Sequence, residues 1–190
     1  MNTSIRFTLC NLSAALALGL SQPAMAQMGT PPPSSAPMAS ADAATSEMDK
    51  MFFLKAAQSG MFEVKAGEVA QKRGKSDEVK SFAGMMVTDH SQANTKLMAL
   101  AMHHKVMLPK TLDAEHAAKL KTLKTVKKGD TFDMAYIDAM VMGHESTVAL
   151  FEKASKGATS PDVKAFATET LPTLNQHLTM IKEIKAKMAS

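Results

Sequence analysis

Apolar residues in this chain recur at three- and four-residue steps through one long stretch after another, and none of these stretches alternates as a half-buried strand does. The spacing predicts helices over about 46–73, 76–104, 111–128, 132–155 and 161–188. The breaks between them are compact. In Arg73-Gly74-Lys75-Ser76, Gly74 ends one helix and Ser76 caps the next, with Asp77 and Glu78 in its first turn. Lys156-Gly157-Ala158-Thr159-Ser160-Pro161 repeats the device, with Ser160 as cap and Pro161 at the first helical position, where a missing N–H is harmless. Turns so short force the helices on either side to run antiparallel. Pro109 marks the exit from the second helix, and Gly129-Asp130-Thr131 ends the short helix and caps the next long one. Pro172 is expected to kink the last helix. Gly60 and Gly67, poor helix formers, point to a close helix neighbour.

Two helical hairpins joined by a helical crossover make an all-α fold, a ferritin-like four-helix bundle with the crossover between the second and third long helices. Its inward stripes carry an anomaly. His90 falls on the stripe of Val79, Phe82, Ala83, Met86 and Leu97; His144 on that of Tyr136, Met140 and Val148; His177 on that of Phe166, Leu174 and Ile181. At about 1.5 Å rise per residue, Glu63, His90, His144 and His177 come out roughly 15 to 23 Å up such a bundle, in one slab. Glu68 and Glu169 fall outside it. Asp89 and Glu145 are level with it but one position off the stripe, where they could orient imidazoles. Neutral imidazoles plus one carboxylate suit a divalent first-row metal ion, with iron, zinc, manganese and copper all chemically suitable. Alternatively the four groups satisfy one another and a buried water.

The N-terminus is read separately. Arg6, the apolar run Phe7 to Leu20 and Ala24-Met25-Ala26 have the layout of a secretory signal peptide over residues 1–26, with cleavage after Ala26. The run falls short of the roughly 20 apolar residues of a membrane span, and no later stretch is a transmembrane candidate. Residues 27–46, rich in Pro, Ser and Ala, form a disordered linker, and residues 47–190 the bundle domain. The expected location is periplasmic or secreted. Cys10, the only cysteine, lies within the signal peptide, which excludes disulfides and thiolate-held clusters from the mature chain. The net charge of +4 is mild, and the lysines from Lys119 to Lys128 read as a solvated helix face, so nucleic acid is not an expected partner. A homo-oligomer or an envelope protein partner stays open.

Met98, Met102, His103, His104 and Met107 form a second constellation, thioethers beside imidazoles, which is copper-like chemistry. With 17 methionines in the chain, gap-filling in helical cores is the competing reading. No nucleophile elbow, phosphate loop or His-Glu-x-x-His pair suggests an enzyme.

The stretches Ala56-Ala57-Gln58-Ser59-Gly60-Met61-Phe62-Glu63-Val64, Met86-Val87-Thr88-Asp89-His90, Tyr136-Ile137-Asp138 and Leu171-Pro172-Thr173-Leu174-Asn175-Gln176-His177-Leu178 resemble domain-of-unknown-function family 4142. Its members are exported bacterial proteins labelled predicted outer-membrane proteins and grouped with the ferritin-like superfamily. The resemblance implies a helical bundle and an envelope location, and no activity. Di-iron bundles place Glu three residues before His on two helices, whereas Val87 and Leu174 stand there in this chain, so a single-ion, His-rich site, or no metal at all, fits better. An all-helical chain is no membrane barrel. Two functions are compatible with these residues: an exported bundle, without enzymatic activity, that holds a metal ion through Glu63, His90, His144 and His177, or an envelope interaction module whose buried histidines fix helix register.

Overall fold

The computed structural model describes residues 45–188; the expected signal peptide, and the expected linker up to residue 44, lie outside them. The chain forms α1 (Glu47–Arg73), α2 (Asp77–His103), α3 (Ala114–Thr125), α4 (Asp130–Gly157) and α5 (Pro161–Met188). These agree with the periodicity to within a few residues, and the described residues are an all-α bundle. Ser46 accepts from the Asp49 N–H, Ser76 from those of Glu78 and Val79, and Asp113 from that of His116, each satisfying a donor that a helix start leaves open. Two expected caps differ. The N-cap of α4 is Gly129, at φ +94°, with no side-chain bond, because Asp130 turns outward to pair with Lys75 at 2.9 Å. The Ser160 hydroxyl donates to Asp49 at 2.8 Å. Pro172 lies within α5, which is one helix on both sides of it.

Two buried aspartates fix how the hairpins meet. Asp133, in the first turn of α4, accepts the Lys75 and Ser76 N–H groups at 2.9 and 2.8 Å. Asp49, in the first turn of α1, accepts those of Thr159 and Ser160, both at 3.0 Å. Each hairpin therefore clamps the turn of the other. The first clamp sets the starts of α2 and α4 level, and these helices run parallel. At the opposite end His104, closing α2, meets Asp162 at the start of α5, so α2 and α5 are antiparallel. Each long helix packs between two antiparallel neighbours, α1 against α2 and α4, and α5 against α4 and α2. The two hairpins are also alike in sequence at a spacing of 84 positions. Ser76-Asp77-Glu78-Val79-Lys80-Ser81-Phe82-Ala83 matches Ser160-Pro161-Asp162-Val163-Lys164-Ala165-Phe166-Ala167, and Asp49 matches Asp133.

The α1–α2 seam is tight where the glycines stand. A Cβ on Gly67 would lie 2.9 Å from the Ala83 carbonyl oxygen, and one on Gly60 2.0 Å from Asn94 Oδ1. Gln58 holds the crossover to α1, donating to the Thr111 carbonyl and accepting from the Asp113 N–H. From there α3 sends Leu120 and Leu123 into the core and leaves its lysines in solvent.

The core consists of two apolar clusters. One gathers Phe62, Phe82, Met86, Phe132, Ile137 and Ile181 near the starts of α2 and α4. The other gathers Phe52, Phe53, Leu97, Phe151, Phe166 and Leu174 toward the opposite end, with Phe52 edge-on to Phe151 at 5.0 Å. Between them lies the polar slab.

Asp133→Ala leaves two part-buried backbone donors without their acceptor, at about 1 to 3 kcal/mol. Urea unfolding of this variant is expected to show that loss, whereas Asp130→Ala, which removes only an exposed ion pair, leaves the midpoint unchanged.

Candidate metal centre

Each long helix contributes one polar side chain to the slab: Glu63 from α1, His90 from α2, His144 from α4 and His177 from α5, all at most 5 % exposed. The three imidazoles form a nearly equilateral group, with ring centroids 5.5 Å apart for His90–His144, 5.3 Å for His90–His177 and 5.5 Å for His144–His177. One ring nitrogen from each lies within 4.8 Å of those of the others.

Each ring has one nitrogen within 3.0 Å of an oxygen. His90 Nδ1 is 3.0 Å from Glu63 Oε2, His144 Nδ1 is 2.9 Å from the Met140 carbonyl oxygen, and His177 Nε2 is 2.9 Å from Asp89 Oδ2. His90 Nε2, His144 Nε2 and His177 Nδ1 are buried with no hydrogen-bond partner. An imidazole held by an oxygen on one nitrogen and open on the other is arranged as a metal ligand is. The Glu63 oxygens are close to His90 and His144, at 3.0 and 3.8 Å, but neither meets a donor of good alignment. Orphaned buried polar atoms are rare, and here they are concentrated in one place, where an ion would satisfy them. A cavity of about 20 Å³ beside Glu63 and His90, bordered by Gly60, Thr147 and Thr170, has room for one water-sized ligand.

Electrostatics divides the histidines. Burial pushes the Glu63 carboxyl up, but the charges of His90, His144 and His177 and the contact with His90 outweigh it and hold the group below its ordinary value. Burial likewise pushes His90 down, and the Glu63 charge and contact, with Asp89 beyond, bring it above the ordinary histidine value. His144 is lowered by burial, which the Glu63 charge only partly offsets. His177 is lowered by burial against the opposing bond to Asp89. Glu63 and His90 are thus both shifted toward their ionised forms, and His144 and His177 toward the neutral imidazole. Tyr136 sits under the slab with its hydroxyl unpartnered, its acidity suppressed by burial and by the Glu63 charge.

The structure brings together all four residues that the stripe pattern predicted, and Asp89 orients His177 as expected. Glu145 does not orient a histidine. It points out of the bundle and pairs with Lys182 at 2.8 Å, because one step along a helix turns a side chain by about 100°. Glu68 and Glu169 are exposed. Of the copper-like constellation, Met98, Met102 and Met107 are exposed, while His103 and His104 gather on Asp162, at 3.4 and 2.9 Å. Asp162 was not anticipated there, since only the antiparallel packing of α2 on α5 brings it to His104. Thr147 and Tyr136, which border the slab, were also missed; their positions on the α4 stripe beside His144 were the available signal.

A family model for a domain of unknown function, DUF4142, matches residues 34–184, and the chain belongs to that family. In fold it is similar to a crystal structure of a DUF305 fragment from Deinococcus radiodurans, with TM-score 0.67 and 14 % identity over 76 % of this chain and 99 % of that one. It is also similar to CopM in the Cu(I)-bound form, with TM-score 0.63 and 15 % identity over 75 % of this chain and 98 % of that one. At such identities the likeness concerns the fold. No curated protein matches the chain in sequence.

The slab makes metal-free stability depend on pH. Below pH 6.5 the unfolded chain protonates His144 and His177 while the folded one keeps them neutral, so the unfolded state binds more protons and stability falls on acidification. The His90 contribution has the opposite sign: it is complete below 6.5 and is lost as pH rises through its raised folded value. Glu63 contributes above 4.5 and loses its contribution as pH falls through its lowered folded value. Thermal melting of metal-free protein is therefore expected to fall from pH 6.5 downward. His144→Met, which cannot titrate, is expected to flatten the decline between pH 6.5 and 5 relative to the unsubstituted chain.

Proposed function

We propose that this protein is an exported helical bundle that holds one first-row metal ion among His90, His144 and His177, with Glu63 as a fourth ligand or as the base that keeps His90 oriented. The observation that carries this reading is the triad of buried imidazoles, each tied to an oxygen through one nitrogen and unpartnered at the other. An imidazole-rich set suits zinc, copper or iron, and the carboxylate also admits manganese. The ion would enter as the His90 proton leaves, giving the slab a net positive charge in place of a neutral ion pair, so affinity is expected to rise with pH. The arrangement of the N-terminal 26 residues supports export, and among the described residues no helix is long and apolar enough to cross a membrane. CopM, similar in fold, is described with Cu(I), which makes copper one of the ions to test first. No group in the slab asks for a substrate, so the reading is of a binding protein without enzymatic activity.

Calorimetric titration with Zn(II), Cu(II), Cu(I), Fe(II) and Mn(II) tests it. At least one ion is expected to bind one per chain, with affinity lowered 100-fold or more in His90→Ala, His144→Ala and His177→Ala. Asp89→Asn, which loosens His177 without removing a ligand, is expected to cost about 10- to 100-fold. Glu145→Ala is expected to change nothing. If every ion fails to bind and the histidine variants differ only in melting temperature, the slab is a register-setting device and the protein an interaction module.

A further inference from the structure

We propose that solvent and ions reach the buried slab by a passage between α1, α3 and α4, whose inner end Gly143 leaves unfilled. A cavity of about 230 Å³ ends on Glu63 and is lined on its way out by Ser59, His116, Lys119, Met142 and Gly143. The same five residues line a groove of about 1020 Å³ on the surface, so the inner cavity and the groove are continuous. At the inner end the Glu63 carboxylate is buried, and both of its oxygens lack an aligned donor.

Gly143 stands immediately before His144 and faces this carboxylate. A Cβ built on it would lie 3.9 Å from Glu63 Oε1 and within 4 Å of no other group outside its own neighbourhood. A methyl group fits there at ordinary contact distance, and a longer side chain would fill the space in front of the carboxylate. The α1–α2 seam is different. A Cβ on Gly60 would meet Asn94 at 2.0 Å, and one on Gly67 would meet the Ala83 carbonyl at 2.9 Å, so those glycines serve close packing, and the cavity beside Gly60 is only about 20 Å³. Glycine thus permits close packing on one side of α1 and leaves the larger space on the other.

The lining also suits passage. His116 is fixed at the mouth, with Nδ1 held by Asp113 at 2.8 Å and its ring 5.6 Å from that of Phe62. The charge of Lys119 is countered by Glu115 at 2.7 Å, and the exposed thioether of Met142 adds a soft donor. A slab enclosed between two apolar clusters would otherwise exchange with solvent only when the bundle opens. That a metal ion is what passes rests on the function proposed above; the passage itself does not.

Cysteine accessibility tests it in a chain of residues 27–190, which has no thiol of its own. Glu63→Cys places a thiol at the inner end and Ser59→Cys one at the mouth, and 2-aminoethyl methanethiosulfonate is the probe. In the folded protein both are expected to react. Adding Gly143→Leu is expected to slow Glu63→Cys at least tenfold and leave Ser59→Cys within twofold, whereas Gly143→Ala changes Glu63→Cys less than threefold. An unreactive Glu63→Cys beside a reactive Ser59→Cys, or a rate unmoved by Gly143→Leu, would overturn the proposal. Should Glu63→Cys fail to fold, deuterium exchange at the His144 imidazole Cε1, read by mass spectrometry with Glu63 in place, supplies the readout. It is expected to be several-fold slower in Gly143→Leu than in Gly143→Ala, and equal rates would overturn the passage. Neither readout uses a metal, so a chain that binds none can still possess the passage, and a metal-binding chain with unmoved rates does not.

Discussion

A carboxylate and an imidazole 3.0 Å apart, enclosed between two apolar clusters, set the terms for the centre of this bundle. Burying either alone would be costly, since an isolated charge in an apolar interior has little to offset its lost hydration. Held together, Glu63 and His90 are each shifted toward the ionised form, while burial shifts His144 and His177 toward the neutral one. Neutral imidazoles with one open nitrogen are ligands, whereas protonated ones are not. Burial, with the neighbouring His90 adding to it, is therefore what favours the ligand form of the other two rings.

The scaffold around the slab is nearly duplicated. Asp49 and Asp133 clamp opposite turns by the same bonds, and Val79, Phe82 and Ala83 have counterparts in Val163, Phe166 and Ala167. The slab does not follow this duplication. At the same 84-residue spacing Glu63 corresponds to Thr147, His90 to Leu174, Gly60 to His144 and Ala93 to His177. Shape is carried by what the hairpins have in common, and chemistry by what differs between them.

Helix number, turn positions and the four slab residues were legible in the sequence because each rests on local spacing. An apolar stripe records which face is buried, and a histidine within it stands out as His90, His144 and His177 do. Residues beside the stripe were less legible. Asp89 and Glu145 both lie one step off it, yet one turns toward His177 and the other to Lys182 at the surface, according to where the neighbouring helix lies. The Asp49 and Asp133 clamps were hidden for a related reason: an acidic residue in a first turn reads as a partner of its own helix end, and these two bond across the bundle. The outward turn of Asp130, the role of Asp162 and the contrast between Gly143 and Gly60 all depend on packing that no single helix encodes.

X-ray absorption of protein carrying one equivalent of a bound first-row metal ion reads the site most directly, because the slab offers only nitrogen and oxygen while the exposed Met98, Met102 and Met107 offer sulfur. About three imidazole nitrogens, near 2.0 to 2.1 Å for zinc, with no sulfur shell, are the result expected of His90, His144 and His177. A sulfur shell, or fewer than two imidazoles, would place the ion elsewhere and contradict the assignment of the slab as a metal centre.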